Sequence, residues 1–293
     1  MTGITPTDIF AVLLSSVSLG ALYCLMSMGL TLQFSTLGLF NFSHASLIML
    51  GAYIAWEFAV ALGFSYPLAI ALMVALTFVL GATIYYAIIR PLQNRSGELI
   101  AVIVATLGVN LLLQNSVLAT IGGRLKQIPP PIGGGIKFSG IFLDYHSVLI
   151  IVAAFGILGA MGWMLRRTRI GLAMRAVSQD REAAAYAGMS VDRVFLYIVG
   201  LAAVLAGIAG AFYASIVFMT PDMGIEPLTT AFVVCVFGGL TSVKGTVVSA
   251  FVVAILQSFT ALYFGLYWEP IVLFAFMMAV LIVRPFGLFG ERV

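Results

Sequence analysis

Apolar residues fill this chain in long unbroken runs, and its polar residues gather between the runs instead of alternating within them. A run of about 20 apolar residues crosses a bilayer as a helix. Transmembrane β-barrels show shorter, alternating segments. The runs predict spans over residues 7–34, 40–62, 67–89, 99–121, 148–165 and 194–218, then a short run over 228–240, and two more ending near 264 and 283. The second span opens on a polar cluster, Asn41, Ser43, His44 and Ser46. The third should stop at Arg90-Pro91, because proline lacks the N–H a helix needs and disfavours helical backbone before it. The stretch 122–146 holds Pro129-Pro130-Pro131 and Gly133-Gly134-Gly135, and is expected to be extended or turning. Pro221 should break the sixth span, and the short run after Pro227 is long enough only for a half-helix. Backbone polar groups in lipid must be satisfied within each segment. The expected fold is therefore an all-α, polytopic transmembrane bundle of eight or nine spans, forming one membrane domain over residues 1–293.

Composition agrees with that pattern. Of 293 residues, 62% are hydrophobic and 9% charged, whereas soluble domains carry about 25% charged residues. The net charge of +3 matters less than where the cations lie, since none precedes Arg90. Cytoplasmic loops are enriched in Lys and Arg. Arg90, Arg95, the stretch 166–193, Arg284 and Arg292 are thus expected inside, with the N-terminus outside and the C-terminus cytoplasmic. The proline-rich loop then lies outside, although it carries Arg124, Lys126 and Lys137. This distribution reports orientation and gives no sign of a nucleic-acid surface. Cys24 and Cys235 sit in apolar runs and read as small packing residues, with no disulfide or metal site expected. The N-terminus lacks a positive n-region, so a cleavable signal peptide is not expected.

Catalytic chemistry is thin. His44 and Glu57 are the clearest ionisable groups within spans, too few for a buried proton relay. Gly188-Met189-Ser190-Val191 does not complete a G-x-S-x-G nucleophile elbow, and metal ligands at useful spacing are missing. Gly239 to Gly245 contains Lys244, but not in the order of a phosphate-binding loop. No residue is assigned as catalytic, and any ATP-driven motor must lie on another polypeptide. A self-sufficient secondary transporter of small solutes is the alternative.

One stretch is sharply polar. Arg166, Arg167, Arg169, Arg175, Arg181 and Arg193 fall between residues 166 and 193 and surround Glu182-Ala183-Ala184-Ala185-Tyr186-Ala187-Gly188. Asp180 and Glu182 suit a helix start, the alanines favour helix, and Gly188 either ends the turn or admits another backbone closely. Such a helix can enter a groove on a partner, or it can be a plain interfacial helix held inside by its arginines. Asn41, Ser43, His44, Asn110, Gln114 and Gln257 are candidates for a translocation path, because polar side chains within spans usually face neighbours or a cavity. Asn41 or Ser43 also suits capping a helix, the favoured reading for Asn41, and His44 more often fills a structural role. Ala203, Gly207 and Ala211 recur at four-residue spacing and offer a small face for close helix packing, either static or sliding.

Glu182-Ala183-Ala184, with Gly188 and then Ile198, resembles the cytoplasmic coupling motif of ATP-binding-cassette importer permeases, although the usual Leu-Pro after the Ile is missing. The wider chain resembles the LivH-type branched-chain amino-acid permease family. The resembling stretches include Gly29-Leu30-Thr31-Leu32-Gln33-Phe34, Asn41-Phe42-Ser43-His44, Arg90-Pro91-Leu92 and Ala105-Thr106-Leu107-Gly108. They continue through Leu205-Ala206-Gly207-Ile208-Ala209-Gly210 to Arg284-Pro285-Phe286-Gly287-Leu288-Phe289-Gly290. The sequence departs from that pattern at Thr241 and Lys244. The resemblance implies a bacterial inner-membrane permease subunit that translocates solute delivered by a periplasmic binding protein. It also implies two cytoplasmic ATP-binding-cassette subunits carrying ATP and Mg, and a second LivM-like permease or a second copy of this chain. Coupling to the ATPases would fall on Arg175, Asp180, Glu182, Ala183, Ala184 and Gly188. The implied cargo spans Leu, Ile and Val, urea, short amides and other amino acids.

Overall fold

The structure is a computed structural model that describes residues 6–93, 97–138 and 141–290. Arg95 and Arg292, both expected inside, lie outside the described residues. Among the described residues eight helices are long and apolar enough to cross a membrane, and a ninth apolar helix is shorter. In order they are α1 (Pro6–Leu37), α2 (His44–Trp56), α3 (Tyr66–Ile84), α4 (Glu98–Thr120), a hairpin of β1 (Gly135–Phe138) and β2 (Ile141–Asp144), and α5 (Tyr145–Arg167). Two short helices follow, α6 (Arg169–Gln179) and α7 (Arg181–Tyr186). Then come α8 (Val191–Tyr213), the half-span α9 (Ile225–Gly238), α10 (Val243–Phe264) and α11 (Glu269–Val283). The antiparallel hairpin pairs Gly135 with Asp144 and is the one regular departure from helix among the described residues.

The third span does not stop at Arg90-Pro91. It passes through a π-helical turn, Tyr85–Ile89, and continues over Arg90–Leu92. The Arg90 N–H reaches back five residues to the Tyr85 carbonyl. This shift in bonding register immediately before Pro91 accommodates a residue that has no N–H to give. The sixth span ends at Tyr213, well before Pro221. Residues 214–219 instead form backbone bonds with the proline-rich loop, Met219 N–H donating to the Lys126 carbonyl at 2.7 Å and Ile128 N–H to that of Ala214 at 3.2 Å. Most of the cationic stretch, expected to hold one short helix, is helical in two pieces.

Helix α8 is the axis of the bundle, with 78% of its most apolar window buried against 6% for α11 and 17% for α4 and α5. The outer three are left with large apolar side chains such as Ile100, Leu112, Trp163 and Ile282 facing outward, as a lipid or subunit boundary requires. α8 is wedged between α2 and α3 by small residues. A methyl placed on Gly51 would lie 2.2 Å from the Gly207 Cα, and one on Gly207 would lie 2.8 Å from the Thr77 Cγ2. Ala203 and Ala211 are fully buried on the same helix.

Two ends are distinguished by contacts. At one, the end of α1 meets Arg181, the extension of the third span beyond its π turn meets the start of α8 through Arg90 and Asp192, and Gly238-Gly239 pack on Phe289-Gly290. Nearly all arginines gather there. At the other end lie Val12, Pro130, Asp144, Ser215 and Glu269.

Candidate coupling site

Helix α7 is built by its flanking residues. Asp180 has extended backbone (φ −154°, ψ 111°), and its carboxylate accepts from the N–H groups of Glu182 and Ala183, both at 2.9 Å. It thereby satisfies two of the donors a helix start leaves unpaired. At the other end Gly188 takes φ +83°. Its N–H donates to the Ala185 carbonyl at 2.9 Å, and the Met189 N–H to that of Ala184 at 3.1 Å, the paired bonds of a Schellman motif. A methyl at Gly188 would meet nothing within 4 Å. Of the two roles read from sequence, Gly188 therefore ends the turn, and no other backbone of this chain approaches it.

Ala184 is the buried residue of α7, at 5% exposure. Glu182, Ala183 and Ala185 face outward, and Tyr186 stands 90% exposed at the tip. An exposed aromatic ring on a capped helix adds little to this chain's own stability, and aromatic residues are frequent anchors in protein interfaces.

Arg181 joins this knuckle to the membrane body. Its guanidinium donates to the Leu37 carbonyl at the end of α1 and to that of Thr36 at 3.4 Å, and it lies 5.2 Å from the centroid of the Phe195 ring on α8. A cation on the last carbonyls of a helix complements both the unpaired acceptors and the helix dipole. Sequence reasoning counted Arg181 only as one cation among six; its partner lies far away in the chain, so no local signal marks it. Arg90 and Asp192 pair at 2.8 Å, with the Tyr85 hydroxyl donating to the same carboxylate at 3.1 Å. Both charged partners are about half exposed, so the pair fixes geometry more than it stabilises. Arg175 lies on α6, where Gly171, Met174 and Val177 face inward. With Arg166, Thr241, Ser242 and Lys244 it borders a cavity of about 350 Å³. The departures from the family pattern at Thr241 and Lys244 thus lie on this same cationic end.

The path candidates divide into two groups. Asn41 Oδ1 accepts from the Ser43 N–H at 3.1 Å and the Ser43 hydroxyl at 2.5 Å, an Asx turn that leads the chain into α2. His44 Nε2 lies 3.1 Å from the Met26 carbonyl, about three turns before the end of α1. α2 therefore begins deep in the bundle, and the non-helical residues 38–43 enter it, which lipid permits only where protein covers them. Ser46 donates to the Asn110 side chain at 2.5 Å, and the Phe42 N–H to the Thr106 hydroxyl at 3.1 Å, tying α2 to α4. Gln114, half-buried, is one turn further along α4. Gln257 is apart from all of these, on α10 towards the opposite end. Cys235 packs with its sulfur 3.2 Å from the Thr31 hydroxyl, and both cysteines are buried and free.

The family described as the branched-chain amino acid transport system permease component matches residues 12–281. This chain belongs to that family. Among relatives, it is 28% identical to the high-affinity branched-chain amino acid transport permease BraD of Pseudomonas aeruginosa, over 95% of each chain. It is 30% identical to LivH of Escherichia coli K12, over 94% of each. Half of the chain is 28% identical to part of the autoinducer 2 import permease LsrC of Yersinia pestis. No solved structure matches. The family membership and the apolar helices together make this a multi-pass membrane transport permease.

Proposed function

We propose that this permease imports branched-chain amino acids or related small polar solutes as the membrane-spanning subunit of an ATP-driven complex. Two cytoplasmic ATP-binding-cassette subunits would carry ATP and Mg and supply the work. A second homologous permease, or a second copy of this chain, would complete the pore, and a periplasmic binding protein would deliver the solute. The chain would be a single membrane domain in a bacterial inner membrane, its N-terminus outside and its arginine-rich end, with the C-terminus, in the cytoplasm. Relatives named for branched-chain amino acids and for autoinducer 2 support a small-solute cargo.

One observation carries the reading: α7 is rigidly capped at both ends, offers Glu182, the outer alanines and Tyr186 to a partner, and is fastened through Arg181 to the end of α1. A partner that displaces α7 displaces that end of α1. α5 runs into α6 with one intervening residue, Thr168, and lies on the poorly buried periphery, where it would tilt with α6. α8, wedged by close backbone contacts, would serve as the fixed element, with the face Ala203, Gly207 and Ala211 in static packing. Asn41, Ser43, His44 and Asn110 would hold the buried turn beside the path, with Gln114 and Gln257 lining it. In the assembled transporter, Glu182→Lys and Gly188→Pro should leave the protein in the membrane while ATP hydrolysis no longer drives uptake. Normal uptake by both variants would remove α7 from the coupling role.

A further inference from the structure

At the arginine-rich end a cavity of about 350 Å³ lies between α1, α5, α6 and α10, within the size range of small-molecule sites. Three cations border it from three separate elements: Arg166 on α5, Arg175 on α6 and Lys244 on α10. All three are exposed residues, whereas Leu32 and Met174 on its wall are buried. Among the described residues no Asp or Glu lines it, and none of the three cations makes an ion pair or a side-chain hydrogen bond. A bias of cations toward one face of the membrane is met by placing them anywhere in a loop. It does not require three of them, from three elements, to converge on one hollow without a carboxylate, where each raises the energy of the others. Such a convergence suits an anion.

The surroundings put this hollow at the edge of the hydrocarbon layer. Each cation has a large exposed apolar side chain one turn away on its own helix: Trp163 before Arg166, Leu172 before Arg175 and Val248 after Lys244. Residues three or four apart on a helix share a face. Arg166 is in the last turn of the span α5 and Lys244 in the first turn of the span α10. Trp163 and Val248 therefore both lie on the membrane side of their cations. Trp is enriched at the membrane–water boundary, and Lys and Arg there lay their stems on apolar surface and keep their charge at headgroup depth. A site for a soluble anion has no use for this apolar skirt.

We propose that this cavity binds the phosphate headgroup of an anionic phospholipid, with the acyl chains lying along the exposed apolar faces of α5 and α10. The phosphate sits among Arg166, Arg175 and Lys244, the two arginines offering forked donors to its oxygens and the lysine a point charge. Basic pockets between spans are a known chemistry for such headgroups. A lipid held there links the end of α5 and α6 to the start of α10 through charges that this chain leaves without partners. The site is independent of which solute the permease carries and of what drives it.

The test is native mass spectrometry of the full-length protein, purified in delipidating detergent and titrated with phosphatidylglycerol or phosphatidylcholine of identical chains. The first lipid bound should show a preference of about tenfold or more for phosphatidylglycerol, as several cations around one headgroup imply. Arg166→Gln/Arg175→Gln/Lys244→Gln should lose that preference. Arg167→Gln/Arg193→Gln/Arg284→Gln, which removes the same charge outside the cavity, should keep it. Lys244→Gln alone, at an exposed position, should weaken phosphatidylglycerol binding severalfold, and it carries the test if the triple variant fails to fold. Equal binding of the two lipids, equal loss in both triple variants, or an unchanged affinity in Lys244→Gln overturns the proposal. Millimolar inorganic phosphate should leave the lipid bound. Its displacement by phosphate would make this a site for a soluble anion and overturn the assignment to lipid.

Discussion

Gly188 has a left-handed backbone (φ +83°) with open space around it, so substitutions there act through conformation alone. Gly188→Ala should cost about 1–2 kcal/mol locally, enough to fray a helix as short as α7. Gly188→Asn, which tolerates this region better, should be milder. The expected readout is a graded fall in uptake per ATP hydrolysed, alanine below asparagine, at equal amounts of assembled complex. Arg181 gives a second graded series. Arg181→Gln removes the charge on the Leu37 carbonyl and should weaken coupling strongly, whereas Arg181→Lys keeps the charge but loses the fork and the ring contact. ATPase activity with uptake lost in Arg181→Gln is the predicted signature; equal coupling in all three proteins would show that the link to α1 carries no motion.

The packing of α8 sets the predictions for whole elements. Gly51→Leu drives a side chain into the Gly207 backbone, which cannot yield as a flexible side chain would. Gly207→Leu presses on Met73 and Thr77. Overpacking costs about 1–3 kcal/mol even where side chains can adjust. Both variants should lower the Tm in detergent by several degrees, Gly51→Leu the more. An unchanged Tm would mean that α2 and α8 are not so closely packed. At this scale much was legible beforehand, because membrane helices announce themselves by apolar length. The runs gave all eight spans and the half-helix α9, whose 14 residues match its short apolar run. Helix ends were less legible. The early end of α8 depends on long-range bonds that no sequence window contains, including the one from Met219 to Lys126, and the π turn before Pro91 rests on a local register shift, Arg90 to Tyr85, that the apolar pattern does not mark. α6 was missed because its inward face, Gly171, Met174 and Val177, is narrow and interleaved with Arg169 and Arg175.

Across the whole molecule, charge is distributed unevenly between the two ends: most arginines and α7 lie at one, and Asp144, His146 and Glu269, with Lys126, lie at the other. Asp180, Glu182 and Gly188 could be placed from sequence because capping is local chemistry. Arg181, and the meeting of Arg166, Arg175 and Lys244, could not, since their significance comes from distant residues brought together by folding. The central claim is that a soluble motor engages the exposed tip of α7, and accessibility of Tyr186→Cys tests it most directly. The native cysteines are buried, so an impermeant maleimide reports this position. The account predicts no labelling in intact cells, ready labelling in inverted membrane vesicles stripped of peripheral proteins, and protection when the ATPase subunits are restored. Labelling from the outer face of intact cells, or labelling indifferent to those subunits, would contradict it.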